Sequence, residues 1–181
     1  MRALPSSTQS APATGPHDGL GVPRLAAPQD THPPMSDPVP FDDFDRRWAL
    51  RTLSRAIGWK RLVSWDPATH TLRAIFEVRP EFCHTRGTVA QGGFVTAWLD
   101  AAMAQAMMRD TGFEFNIATL ELKVSFLRSV PPGEVLAKAH ILKRGRRVAF
   151  FEAQLFDTSE TELFATATST GLVVPFVIEE E

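Results

Sequence analysis

An aspartate stands where the chain has little reason to place one. From Phe94 to Arg109 the sequence is apolar around nearly the whole circumference of a helix, through Val95, Ala97, Leu99, Ala102, Ala106 and Met107, and Asp100 interrupts it. Aspartate is a poor residue for a helix interior. A carboxylate among methyl groups loses hydration they cannot replace, at several kcal/mol unless something compensates. The chemistry suited to such a group is general-base catalysis, the removal of a proton from an attacking nucleophile. A competing reading puts Asp100 on a narrow exposed stripe with Thr96 and Gln105, or makes it the cap of a neighbouring loop. At the start of the same run stands Gln91-Gly-Gly93. Unpaired N–H groups at a helix N-terminus stabilise developing negative charge, and glycine lets a carbonyl oxygen come close. Alone, a Gly-Gly pair more often marks a flexible turn. Gly92 and Asp100 are eight residues apart, about 12 Å along a helix. One carbonyl does not easily meet both within a single helix, so if both act on one carbon they come from two subunits.

The remaining chemistry-bearing residues are plainer. Cys83 is the only cysteine and has no evident base partner, which favours a buried thiol over a nucleophile. The five histidines, His17, His32, His70, His84 and His140, show no ligand spacing, so neither a metal nor a cofactor is expected. Trp48, Trp59 and Trp65 read as core or interface residues.

Positioning these groups falls to elements visible in the periodicity. Phe44, Trp48, Leu50, Leu53 and Ile57 recur at roughly helical spacing before Gly58, which predicts a short amphipathic helix over 42–57. Leu72, Ala74, Phe76 and Val78 alternate with polar neighbours. Leu120, Leu122, Val124 and Phe126 alternate against Thr119, Glu121, Lys123 and Ser125, so both runs read as half-buried strands. Pro131-Pro132-Gly133 forces a turn, and strands follow at about 134–143, 147–157 and 162–174. The short connections imply an antiparallel meander. A helix apolar on every side must be enclosed. The fold class is therefore α+β, a curved antiparallel sheet wrapped around one long central helix. The strand over 115–128 is long against the usual five or six residues, and an exposed edge of that length invites pairing with its symmetry mate. Spacing and strand length thus point separately to a dimer.

With 181 residues the chain holds one domain with a sizeable core. A formal net charge of -2 gives no pull toward nucleic acid or an anionic membrane. No apolar run reaches the ~18 residues of a membrane helix. Nine of the 14 prolines lie between Pro5 and Pro40 among small and polar residues, so 1–40 is expected to be disordered, with Met35 an alternative start. No apolar stretch follows Arg2 as a signal peptide requires. The domain is expected over 41–177, followed by an acidic tail at 178–181, in a cytoplasmic protein.

The ordered set Gly87-Thr-Val-Ala-Gln-Gly-Gly93, Asp100, Ala118-Thr-Leu-Glu-Leu-Lys-Val-Ser-Phe126, Pro132-Gly-Glu134 and Lys143-Arg-Gly-Arg146 resembles the hot-dog fold thioesterases, their PaaI-like branch above all, over about residues 57–174. The resemblance implies an acyl-CoA thioesterase, acting on a medium/long-chain or aryl acyl-CoA, as a homodimer or a tetramer built from two dimers. It implies that Asp100 is general base or nucleophile, that Gly92 offers its N–H to the thioester oxygen and that Thr119 helps place the attacking water. Arg144 and Arg146, with Gly145 between them, fall near the nucleotide end of CoA. Gly93, Phe94, Trp98 and Met103 fall where the thioester and its acyl chain would lie. The chain departs from the pattern twice. Gln91 stands where His is common, and a neutral amide still donates a hydrogen bond without titrating. Thr85 holds the offset where Asn or Gln is frequent, with His84 one residue earlier as the candidate for that role. A hot-dog hydratase typically sets His five residues after the Asp, where this chain has Gln105. A non-catalytic acyl-CoA-binding module is the rival of another class.

Overall fold

The computed structural model describes residues 52–176. Most of the expected 42–57 helix, the proline-rich stretch 1–40 and the acidic tail lie outside them. What is described of that helix is α1, Thr52–Ala56. Gly58 ends it at φ 75°, and a β-carbon there would stand 2.4 Å from the Glu77 carbonyl oxygen, so only glycine makes this turn. Eight strands follow: β1 (Trp59–Asp66), β2 (Thr71–Val78), the two-residue pair β3 (Cys83–His84) and β4 (Val89–Ala90), β5 (Phe115–Phe126), β6 (Gly133–Arg144), β7 (Val148–Asp157) and β8 (Leu163–Pro175). Between β4 and β5 runs α2, Gly92–Asp110.

Six strands form one sheet in the order β1-β2-β6-β7-β8-β5, antiparallel at every pairing. The helix α2 packs on one face of it. Small residues make that approach possible: Ala102 and Ala106 of the helix are fully buried, as are Ala74, Ala137, Ala139 and Ala165 of the sheet. Larger side chains fill the space on either side, with Phe76, Phe151, Leu72, Leu99 and Leu155 fully buried, each contributing about 1.5–3 kcal/mol relative to exposure. The expected architecture and the meander of the last strands are present. β1 was not foreseen. Register shifts at Trp59/Arg61 and Leu62/Ser64 break its period of two, and the alternation that marks a strand goes with it.

Two clusters lock the loops. In the turn between β7 and β8, Asp157 accepts from the backbone N–H groups of Thr161 (2.8 Å) and Glu162 (2.6 Å) and from the Ser159 hydroxyl, which holds its carboxyl well below the usual carboxylate range. At the far end of α2, the Asp110 carboxylate lies 2.5 Å from His70 Nδ1 and 2.8 Å from Arg144 Nε. A carboxylate on a helix C-terminus opposes the helix dipole. Here two basic side chains offset that, and they join α2 to the β1–β2 and β6–β7 turns.

Candidate active site

The N-terminus of α2 is capped from within. Gln91 is extended at φ -70°, ψ 136°, and its side-chain Oε1 accepts from the Gly93 N–H at 2.6 Å. Only the amide oxygen accepts a hydrogen bond, so the Nε2 donor faces elsewhere. The Gly92 N–H has no backbone or side-chain partner among the described residues. This end of the helix therefore presents one unused backbone donor beside an amide whose acceptor is occupied.

Asp100 is half-buried, two turns along the helix. Its Oδ1 accepts from Thr119 Oγ1 at 2.8 Å. The bond depends on an irregularity in β5. Thr119 pairs with Gly171 and Glu121 with Thr170, so Leu120 is an extra residue. Before it, Ile117 and Thr119 face the helix; after it, Leu122 and Val124 pack on the core. Regular alternation would have put Thr119 on the opposite face from Leu122, as the sequence pattern implied. Leu120, expected to point inward, is 61% exposed. Of the stripe proposed for Asp100, Thr96 is half-buried and returns its hydroxyl to the Gly92 carbonyl at 2.8 Å, while Gln105 is fully buried.

A cavity of about 400 Å³ opens beside Gly92, bounded by His84, Val89, Ala90, Val95, Phe126 and the segment Leu127–Val130. His84 thus lies on the same cavity as Gly92, with its Nδ1 2.7 Å from Thr85 Oγ1. It sits at the mouth of a tight turn in which Thr85 and Arg86 adopt φ 53° and 57°. Two successive left-handed residues that are not glycine cost about 1–2 kcal/mol each, strain of a kind found where a loop must hold a particular shape.

Other expected residues fall elsewhere. Trp98 and Met103, assigned to an acyl pocket, are fully buried in the core, and the Trp98 indole donates to the Ile57 carbonyl at 2.7 Å. Phe94 is half-buried and stacks on Phe82 at 4.2 Å between ring centroids. Arg144, assigned to the CoA nucleotide, has its Nε on Asp110, while Gly145 is half-buried and Arg146 is exposed. Cys83 is half-buried, and burial pushes its thiol up, away from thiolate chemistry. Phe126, Leu127 and Val130 line the cavity and were not among the expected site residues. The available signal was a Phe-Leu pair left at a strand end just before the Pro-Pro-Gly turn.

No group of three or more His, Cys, Asp or Glu that could hold a metal ion occurs among the described residues. No described helix is long and apolar enough to cross a membrane. The thioesterase superfamily model matches residues 87–164, which span the α2 N-terminus, Asp100 and Thr119. The chain is similar to a conserved protein of Pseudomonas aeruginosa, at 27% identity over 71% of this chain and 98% of that one, with a TM-score of 0.62. It is similar to a phenylacetic acid degradation-related protein of Ralstonia eutropha described as a putative thioesterase, at 26% identity over 73% and 98%, with a TM-score of 0.64. It is also similar to the phenylacetic acid degradation protein PaaI of Thermus thermophilus, at 26% identity over 67% and 98%, with a TM-score of 0.57. Comparison with curated proteins gives no match. The helix wrapped by a six-stranded antiparallel sheet, the match to the thioesterase superfamily over residues 87–164 and these likenesses agree on a thioester hydrolase of the hot-dog fold.

Proposed function

We propose that the chain hydrolyses acyl-CoA thioesters at sites shared between two subunits of a homodimer. The observation that carries this reading is the 2.8 Å bond from Thr119 to Asp100, placed by a bulge in the last strand of the described sheet. With Oδ1 held by the threonine, the second carboxylate oxygen is left to take a proton from water. The Thr119 hydroxyl still has lone pairs to accept from that water, so one pair of side chains both activates and orients the nucleophile. The thioester oxygen docks on the Gly92 N–H of the other subunit, with the Gln91 amide as second donor. Attack builds an oxyanion there, and its collapse expels CoA as a thiolate, which needs no general acid. Asp100 as a covalent nucleophile is the variant of the same site.

Support for the shared arrangement comes from β5, a 12-residue strand that among the described residues pairs only with β8. Gly92 and Asp100 stay two turns apart in one α2, so a single chain offers the two halves of the chemistry at different places. Arg146, exposed at the β6–β7 turn, remains a candidate for the nucleotide phosphates.

Asp100→Asn keeps the shape and a hydrogen bond to Thr119 but removes the base. It is expected to fold, to bind CoA as the native chain does, and to lose about 10²–10⁴ in turnover, read as thiol release across a panel of acyl-CoAs. Retained turnover in this variant refutes the base. Binding without turnover in the native chain as well points instead to an acyl-CoA-binding module.

A further inference from the structure

The cavity beside Gly92 has two kinds of wall. Its floor is apolar and closed, with Ala90, Val95 and Val130 at 6%, 2% and 3% exposure. Its open side carries Phe126 and Leu127, which are 57% and 53% exposed. Large apolar side chains gathered in solvent beside a concavity mark a contact surface for something apolar. Phe126 ends β5, and its ring tip rests against the first residue of α2. A β-carbon on Gly92 would stand 3.2 Å from Phe126 Cζ and 3.4 Å from Cε1. The ring therefore lies across the helix end whose N–H is unused. Any oxygen docked on that N–H brings the group attached to its carbon against Phe126 and the cavity behind it.

We infer that this cavity receives the acyl group of the thioester and that Phe126 sets how large that group can be. The inference rests on the reading of Gly92 as the oxygen-binding donor. A volume of about 400 Å³ lies toward the low end of ligand pockets, roughly 300–1,000 Å³. The buried valines of the floor close its far side, so the room available is finite. A compact acyl group fits within it. A long straight chain has to displace the Phe126 ring to continue outward.

Phe126→Ala and Phe126→Trp change an exposed ring and leave the core intact. Both variants and the native chain are assayed for thiol release from straight-chain acyl-CoAs of increasing length. Dissociation constants are measured by calorimetry for the matching S-alkyl-CoA thioethers, which cannot be hydrolysed. The native chain is expected to favour acyl groups that end within the cavity over longer straight chains. Phe126→Ala should raise the long-to-short ratio of kcat/KM roughly tenfold or more, and Phe126→Trp should lower it. A uniform change at every length, or an unchanged profile in both variants, overturns the inference. The two readings fail separately. Thioether affinities that shift with length at residue 126, without any thiol release, uphold the gate and remove hydrolysis. Normal hydrolysis with a length profile indifferent to residue 126 removes the gate.

Discussion

Gln91 carries two duties on one amide, and its two ends separate them. Its oxygen caps Gly93 at 2.6 Å, a helix-capping bond whose loss costs about 1 kcal/mol. Its nitrogen, the donor half of the amide, takes no part in that bond. A histidine in this position, as the resemblance leads one to expect, would tie oxygen stabilisation to its own titration; glutamine does not titrate. Gln91→Glu tells the roles apart. The carboxylate still caps Gly93, and a negative charge on a helix N-terminus is favourable, so thermal stability should hold or rise. The donor is gone and a charge now faces the developing oxyanion, so turnover should drop by about 10²-fold or more. Denaturation curves and thiol release on the same preparation check both halves. A parallel loss of stability and turnover would reduce Gln91 to a cap.

At the scale of elements, what was legible followed from clean alternation, from turn residues or from sheer apolarity. Strand β2 was readable from its period of two, β6–β8 from the turn residues that separate them, and the central helix from an apolar run on every side. The bulged β1 was not, since its register shifts twice within eight residues. The bulge at Leu120 hid more, because it reverses the facing of a catalytic candidate: alternation alone sends Thr119 to solvent, and the inserted residue returns it to Asp100. The resemblance assigned Trp98 and Met103 to an acyl pocket, and within one chain both lie in the core. A helix apolar on every side shows that it is enclosed without showing which face meets a ligand, and these two side chains meet the core. Helix α2 also carries a polar residue that the site does not use. Gln105 is fully buried, with neither amide atom partnered among the described residues, and it lies well round the helix from Asp100. An unsatisfied buried amide costs about 1–3 kcal/mol. Gln105→Met, of similar volume, should therefore raise stability by about that amount and leave kcat unchanged, measured by urea midpoint and thiol release. A destabilised variant would mean that the amide has a partner.

At the scale of the whole molecule, the two edges of the sheet are treated differently. The β1 edge is irregular and charged, with Lys60 bonded to Glu77 and Arg61 paired with Glu134, devices that discourage edge pairing. The β5 edge leaves Leu120 more than half exposed, at 61%. On the helix, Ala97, Asp100, Ala101 and Ala104 are likewise only half-buried within one chain. A second copy joined along β5 would complete the sheet and bring its own α2 toward this face. Subunit complementation tests that arrangement without needing the dimer's geometry. Gly92→Pro removes the oxyanion donor and little else, since proline is favoured at the first helical position and Gln91 already has the extended conformation that precedes it. The Phe126 ring, being exposed, has room to give the few tenths of an ångström that the new β-carbon requires. Gly92→Pro and Asp100→Asn should each be inactive alone. Coexpressed, they form hybrid dimers in which one site inherits both lesions and the other inherits neither. With random pairing about half of the dimers are hybrid, so thiol release should recover to roughly a quarter of the native value. If each chain instead built its site from its own Gly92 and Asp100, every site in the mixture would carry one lesion, and coexpression would recover nothing.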